Sequence, residues 1–342
     1  MALPPRTPIQ RPASIQHRII IDTDPGIDDA MAIFFALASP ELDVVALTTV
    51  FGNAHTTTCT ENALRLLEIA ERPDIAVAEG AHAPLAMRFR GPADFVHGAN
   101  GQGDAPLDPP TSSKVDESAV ELIIDRVMAA PGEITLVPLG PLTNIAMALR
   151  AEPALAANLA GIVLMGGNAF CGGNASPAAE ANIINDPEAA DIVFGATCPV
   201  VMAGLDVTEQ IVMTGAQLDL IGSAANPRAQ HLHAILPYYR RFALERSGLD
   251  GIHVHDSTTI SYLVAPQHFT SVSHAIRVDT GNSVGRGKTW ARTRPAEGAD
   301  PWAGRPKVTI LTGTDVDAVV QLELTRLGVS VSPASDDRGP GT

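Results

Sequence analysis

The strongest constraint on this chain's fold is a recurring unit: a short β-branched run, a Gly-containing polar loop, then an Ala- or Leu-rich stretch. Residues 18–22 (RIIID) read as a buried strand and 23–26 as the loop, with a helical pattern opening at Asp28 (DDAMAIFFALAS). Residues 42–49 (LDVVALTT) and 57–70 repeat the unit. Residues 134–138, 161–165 and 200–205 supply further strands, each ending in a Gly-containing loop. Strands separated by helical patterns form βαβ units. The expected fold is therefore α/β: one large, doubly wound, mostly parallel sheet with helices on both faces. With 342 residues, 45% hydrophobic and 18% charged, the chain has the apolar material for one large core. Residues 80–114, rich in Gly, Pro and Asp, read as a long functional loop or small subdomain within it. No internal repeat or low-complexity linker divides residues 17–330, which are taken as one domain. Residues 1–16 and 331–342, polar and Pro-containing, are expected to be mobile tails.

Charge narrows the partners. Lys plus Arg total 23 against 38 Asp plus Glu, a net −15. Phosphate recognition needs clustered basic charge, so nucleic-acid polymers and anionic membranes are not expected partners. Cys59, Cys171 and Cys198 are widely spaced without a CxxC, which argues against a disulfide framework or a thiolate zinc site. No apolar h-region follows the N-terminal basic residues and no run of eighteen apolar residues occurs. The expected compartment is the reducing cytoplasm.

In a doubly wound sheet the ligand sits beyond the carboxyl ends of the strands. There the sequence places Asp22-Thr23-Asp24-Pro25-Gly26-Ile27-Asp28-Asp29, four carboxylates in eight residues. Capping the following helix accounts for one of them. Four clustered carboxylates beside a turn are hard oxygen ligands suited to Ca²⁺ or Mg²⁺. The Gly and Glu spacing, and the strand preceding the loop, do not fit an EF-hand. Other strand ends carry Gly52-Asn53, the Leu139 to Asn144 segment LGPLTN and Met165-Gly166-Gly167-Asn168; AEANIINDPEAA and His255-Asp256 follow. Singly, each is a weak signal.

In this order, DTDPGIDD, AEANIINDPEAA and HD resemble the inosine-uridine preferring nucleoside hydrolases, over residues 19 to about 327. The resemblance implies one Ca²⁺ on the side chains of Asp24, Asp29 and Asp256 and the backbone carbonyl of Leu139, where the family often has Thr. It implies Asp24 as the base for an attacking water, Asp28 and Asn53 on the ribose hydroxyls, Asn174, Glu180 and Asn182 as further sugar contacts, and Met165 as an apolar wall. His255 matches the histidine that protonates the leaving base, which favours a nonspecific or pyrimidine-accepting subgroup. His97 matches a second pocket histidine near the base; a solvent-facing loop histidine is the other reading. Asp22, still inside its strand, is expected to orient its neighbours and not to ligate. Tyr238, Tyr239 and Arg240 fall in the region of the family's flap, with helix-surface packing as the alternative. Ala181 and Gln102 depart from the family pattern, as does the tyrosine spacing, which puts base preference in doubt.

The implied activity is Ca²⁺-dependent hydrolysis of the N-glycosidic bond of purine or pyrimidine ribonucleosides, such as inosine or uridine, by a homodimer or homotetramer. Two alternatives are a hydrolase of a modified riboside, for which Ala181 leaves room, and a non-catalytic Ca²⁺-dependent ribose-binding protein. A phosphatase built on Asp22 and Asp24 is disfavoured by Pro25-Gly26 and a missing downstream Lys.

Overall fold

The computed structural model describes residues 17–295 and 298–330. The tails expected at 1–16 and 331–342 lie outside the described residues. Eleven strands follow in chain order: β1 His17–Thr23, β2 Leu42–Thr49, β3 Ala76–Glu79, β4 Ile134–Pro138, β5 Gly161–Met165, β6 Val200–Ala203, β7 Val212–Thr214, β8 Gly251–His253, β9 Phe269–Val278, β10 Thr289–Ala291 and β11 Lys307–Thr314. Nine form one sheet in the order β10-β9-β11-β6-β5-β4-β1-β2-β3, and β7 and β8 pair separately. From β3 to β11 the pairing is parallel throughout; only β9 runs against its neighbours β11 and β10.

Alternation along the strands explains why helices cover both faces. Ile19 and Ile21 of β1, with Val137 of β4 and Val163 of β5, join one apolar cluster; that cluster also takes residues of the helices Ile27–Leu37, Pro227–Ser247 and Ser257–Val264. Ile20, Leu136, Ile162 and Leu164 point the other way, into a second cluster shared with the helices Ala119–Ala129, Thr143–Ala151 and Pro187–Val193. Successive side chains of a strand leave on opposite faces, so two-sided burial produces these unbroken apolar runs.

The predicted β2, β4 and β5 match residue for residue. Other boundaries move: β1, expected over 18–22, gains a residue at each end, and the helix expected from Asp28 opens at Ile27. Within residues 200–205, expected as a strand, β6 ends at Ala203 and Leu205 opens a short helix, Leu205–Thr208. The chain builds outward from β1 through β2 to β3, then returns to lay β4 on the other side of β1. This reversal opens a crevice at the carboxyl ends of β1 and β4, where Asp24 and Leu139 sit.

Candidate active site

The loop leaving β1 turns directly into the helix Ile27–Leu37, so the strand end and the first helical turn present their carboxylates together. Asp29 is fully buried: Thr23 Oγ1 donates to its Oδ1, and the Gly26 N–H and Asn53 Nδ2 each donate to its Oδ2 at 2.9 Å. The Asn53 N–H donates to Asp24 Oδ2 at 2.7 Å. Asp24 lies so close to Gly52 and Gly140 that a side chain at either would collide with its carboxylate. Asp256, from the start of the helix Ser257–Val264, completes the group: oxygens of Asp28, Asp29 and Asp256 lie within 4.8 Å of one another. Asp24 stands outside this tight trio but close enough to repel Asp29 and Asp256. Asp28, expected on the ribose, is therefore as near the ligand cluster as the predicted ligands are.

Among the described residues these acids have no arginine or lysine partner; only His97 comes near, 3.8 Å from Asp28 Oδ1. Burial pushes the Asp28 carboxyl up to about 6, and raises Asp24, Asp29 and Asp256 with help from one another's charge. Asp24 Oδ1 and Asp28 Oδ1 are buried without a hydrogen-bond partner. Buried polar atoms are rarely left so. An all-oxygen donor set with orphaned lone pairs fits a hard divalent cation, which would reverse the raised carboxyl pKa values.

The remaining predicted residues gather around this floor. Asn182 Nδ2 donates to the Leu139 carbonyl at 2.5 Å and to the Met165 carbonyl at 3.3 Å. Glu180 caps the helix Ala181–Asn185 by accepting from the Asn182 and Ile183 N–H groups, and also takes the Gly167 N–H. Asn174 sits at the exposed rim, its Oδ1 accepting from the Ala181 N–H. Asp22 holds Thr48 and Asn144 through its side chain, and the Leu139 N–H through its carbonyl. Its place is behind the pocket, supporting β2 and Leu139.

His97 is not a solvent-facing loop residue. It is buried, its Nδ1 accepts from the Ile27 N–H at 3.2 Å, and it lies 3.8 Å from Asp28 Oδ1. Burial lowers its imidazole to about 4, against the opposing pull of Asp29. Of the flap candidates, Tyr239 faces the site: its ring lies 5.7 Å from that of His97, and Asp28, Asp256 and Asp29 add to the burial that raises its phenol. Tyr238 donates to the Asp94 carbonyl on the outside, and Arg240 pairs with Asp219 and Asp250. Gln102 is enclosed: its amide donates to the Pro25 and Gly26 carbonyls and its oxygen bonds His231 Nε2, so it braces the acidic turn. His255 Nδ1 is hydrogen-bonded to Thr208 Oγ1 at 2.8 Å. Burial, then His253 and His97, hold its imidazole down to about 3. The sequence reading missed Thr208; its one signal was a position just past the carboxyl end of β6.

Comparison with known proteins now bears on this arrangement. The pattern of the inosine-uridine preferring nucleoside hydrolases matches residues 19–321. The chain belongs to this family. Among its relatives is a probable uridine nucleosidase 2 of Arabidopsis thaliana, 44% identical over 318 residues, 91% of this chain and 98% of that protein. A pyrimidine-specific ribonucleoside hydrolase of Klebsiella pneumoniae is 40% identical over 310 residues, covering 90% of this chain and 97% of its own. A solved plant nucleoside hydrolase superposes with a TM-score of 0.89 at 40% identity, covering 92% of this chain and 100% of that one. Family membership makes the protein an N-ribosyl hydrolase and explains why the polar residues converge on one strand-end crevice. No helix among the described residues is long and apolar enough to cross a membrane.

Proposed function

We propose that the protein hydrolyses the N-glycosidic bond of ribonucleosides, uridine foremost, with Ca²⁺ held by Asp24, Asp29, Asp256 and the Leu139 carbonyl, and with Asp28 beside it. The observation that carries this reading is the buried carboxylate group with its orphaned Asp24 and Asp28 oxygens. Names of the relatives and the presence of His255 favour a pyrimidine base.

When bound, the cation supplies a Lewis acid that holds vicinal hydroxyls and lowers the pKa of water. The chain's own residues do the rest. Asp28 and Asn53 bind the ribose hydroxyls, Asn174, Glu180 and Asn182 grip the sugar's other side, and Met165 closes it with an apolar wall. As the C1′–N bond lengthens, its electron pair moves to the base and positive charge grows on the ribose, beside the carboxylates. The water oxygen bonds to C1′ while Asp24 takes its proton. His255, whose imidazole burial holds down to about 3 in the free protein, takes up a proton as the base binds and gives it to the base as it departs. His97 and Tyr239 line the base side. Residues 17–330 act as one catalytic domain, in a cytoplasmic homodimer or homotetramer.

Base release from uridine, cytidine, inosine and adenosine, with and without chelator, tests this reading. Turnover of uridine that chelation abolishes and Ca²⁺ restores is expected. Ca²⁺-dependent ribose binding without turnover of any nucleoside would replace it with the binding-protein reading.

A further inference from the structure

Thr208 lies wholly outside the acidic cluster, on the four-residue helix Leu205–Thr208 that follows β6. It is fully buried, and its hydroxyl bonds His255 Nδ1 at 2.8 Å. Among the described residues that contact leaves Nε2 as the ring nitrogen without a protein hydrogen-bond partner, on a residue that is only partly buried. The helix itself is fixed from two sides. The Leu205 N–H donates to the Gly167 carbonyl at 2.8 Å, and the Asp206 carboxylate accepts the N–H groups of Ala169 and Phe170 at 2.6 and 2.7 Å. A β-branched side chain has few rotamers, so a clamped backbone aims the hydroxyl closely. A hydroxyl both donates and accepts, so the contact survives either protonation state of the ring. The neighbouring ring of His253 lies 5.8 Å from that of His255 and does not bond it, its own Nδ1 having no hydrogen-bond partner among the described residues.

We propose that Thr208 is a positioning residue for the departure of the base: its hydroxyl fixes the His255 ring so that Nε2 is the nitrogen presented to the leaving group. The proposal rests on His255 acting on that group. Removing the hydroxyl lets the ring turn and exchanges the roles of its two nitrogens, without touching ribose or cation ligands.

The test compares kcat on uridine, whose base needs a proton, with kcat on p-nitrophenyl riboside, whose leaving group does not. Thr208→Val keeps the shape and deletes the hydroxyl, Thr208→Ser restores it, and His255→Ala is the benchmark. Removing a general acid costs roughly 10²- to 10⁴-fold. For Thr208→Val a smaller loss is expected on uridine, about 10- to 100-fold, with KM and the p-nitrophenyl substrate changed less than about twofold and serine recovering most of the loss. Partial unfolding lowers both substrates alike and cancels in their ratio. Thr208→Ala gives the same comparison if the valine variant does not fold. Equal losses on both substrates, or an unchanged rate on uridine while His255→Ala keeps its selective defect, would overturn the role of Thr208. A His255→Ala enzyme that treats both substrates alike would instead overturn the leaving-group reading on which it rests.

Discussion

Two acidic regions of this molecule contain the same residue type in opposite settings. Along the outer sheet edge, Asp191 accepts from Arg277 at 2.9 Å, Arg305 at 3.0 Å and the Val278 N–H at 3.0 Å, while Asp300 pairs with Arg292 and Glu188 with Arg286. At the end of β1, Asp24, Asp28, Asp29 and Asp256 face chiefly one another, and two of their oxygens have no partner. Edge acids are balanced within the chain and hold segments together. Among the described residues, pocket acids have hydrogen-bond donors such as Thr23 and Asn53 but no arginine or lysine partner. The contrast sets carboxylates paired with arginines inside the chain apart from carboxylates crowded against one another, without reference to any relative.

The comparison is broken if substitutions in the two regions give the same signature. Asp24→Asn is expected to lower kcat on uridine by about three orders of magnitude or more while leaving melting in chelator unchanged or higher, since it relieves like-charge repulsion. Steady-state kinetics and thermal melts check this. Glu323 offers an intermediate case, a buried acid outside the pocket whose Oε1 accepts from Ser257 and whose carboxyl burial raises to about 7. Its folded-state pKa lies above the unfolded value of 4.5, so its stabilising share is full below about 4.5 and is lost as pH rises through about 7. Glu323→Gln cannot ionise and should gain up to about 3 kcal/mol on wild type between pH 5 and 8.5, read from denaturant curves. Asp191→Ala strips partners from two part-buried arginines and a backbone N–H; it should cost about 2 kcal/mol of stability and leave kcat near normal. Smallest of all, Tyr238→Phe should change uridine KM less than about twofold, because its hydroxyl bonds the Asp94 carbonyl.

Much of this was legible in the chain itself. The parallel sheet, its two-sided burial and the acidic turn at the end of β1 follow from local pattern: β-branched runs, Gly loops and clustered Asp. What stayed hidden depends on contacts between distant segments. β7 and β10, three residues each, carry too few side chains for a period. Tyr238 and Tyr239 are adjacent, so only the helix phase decides which of them meets His97. Gln102 departs from the family pattern in a way that bears on base preference; the fold encloses it against Pro25, Gly26 and His231. Thr208 meets His255 across 47 positions, beyond the reach of any local motif.

The central claim is that the acids at the end of β1 are a cation site. Isothermal titration of metal-stripped protein with Ca²⁺ tests it most directly. The account predicts about one ion bound per chain, retained in Asp191→Ala and lost in Asp256→Asn. Saturable binding that survives Asp256→Asn, or none in the wild-type chain, would contradict it.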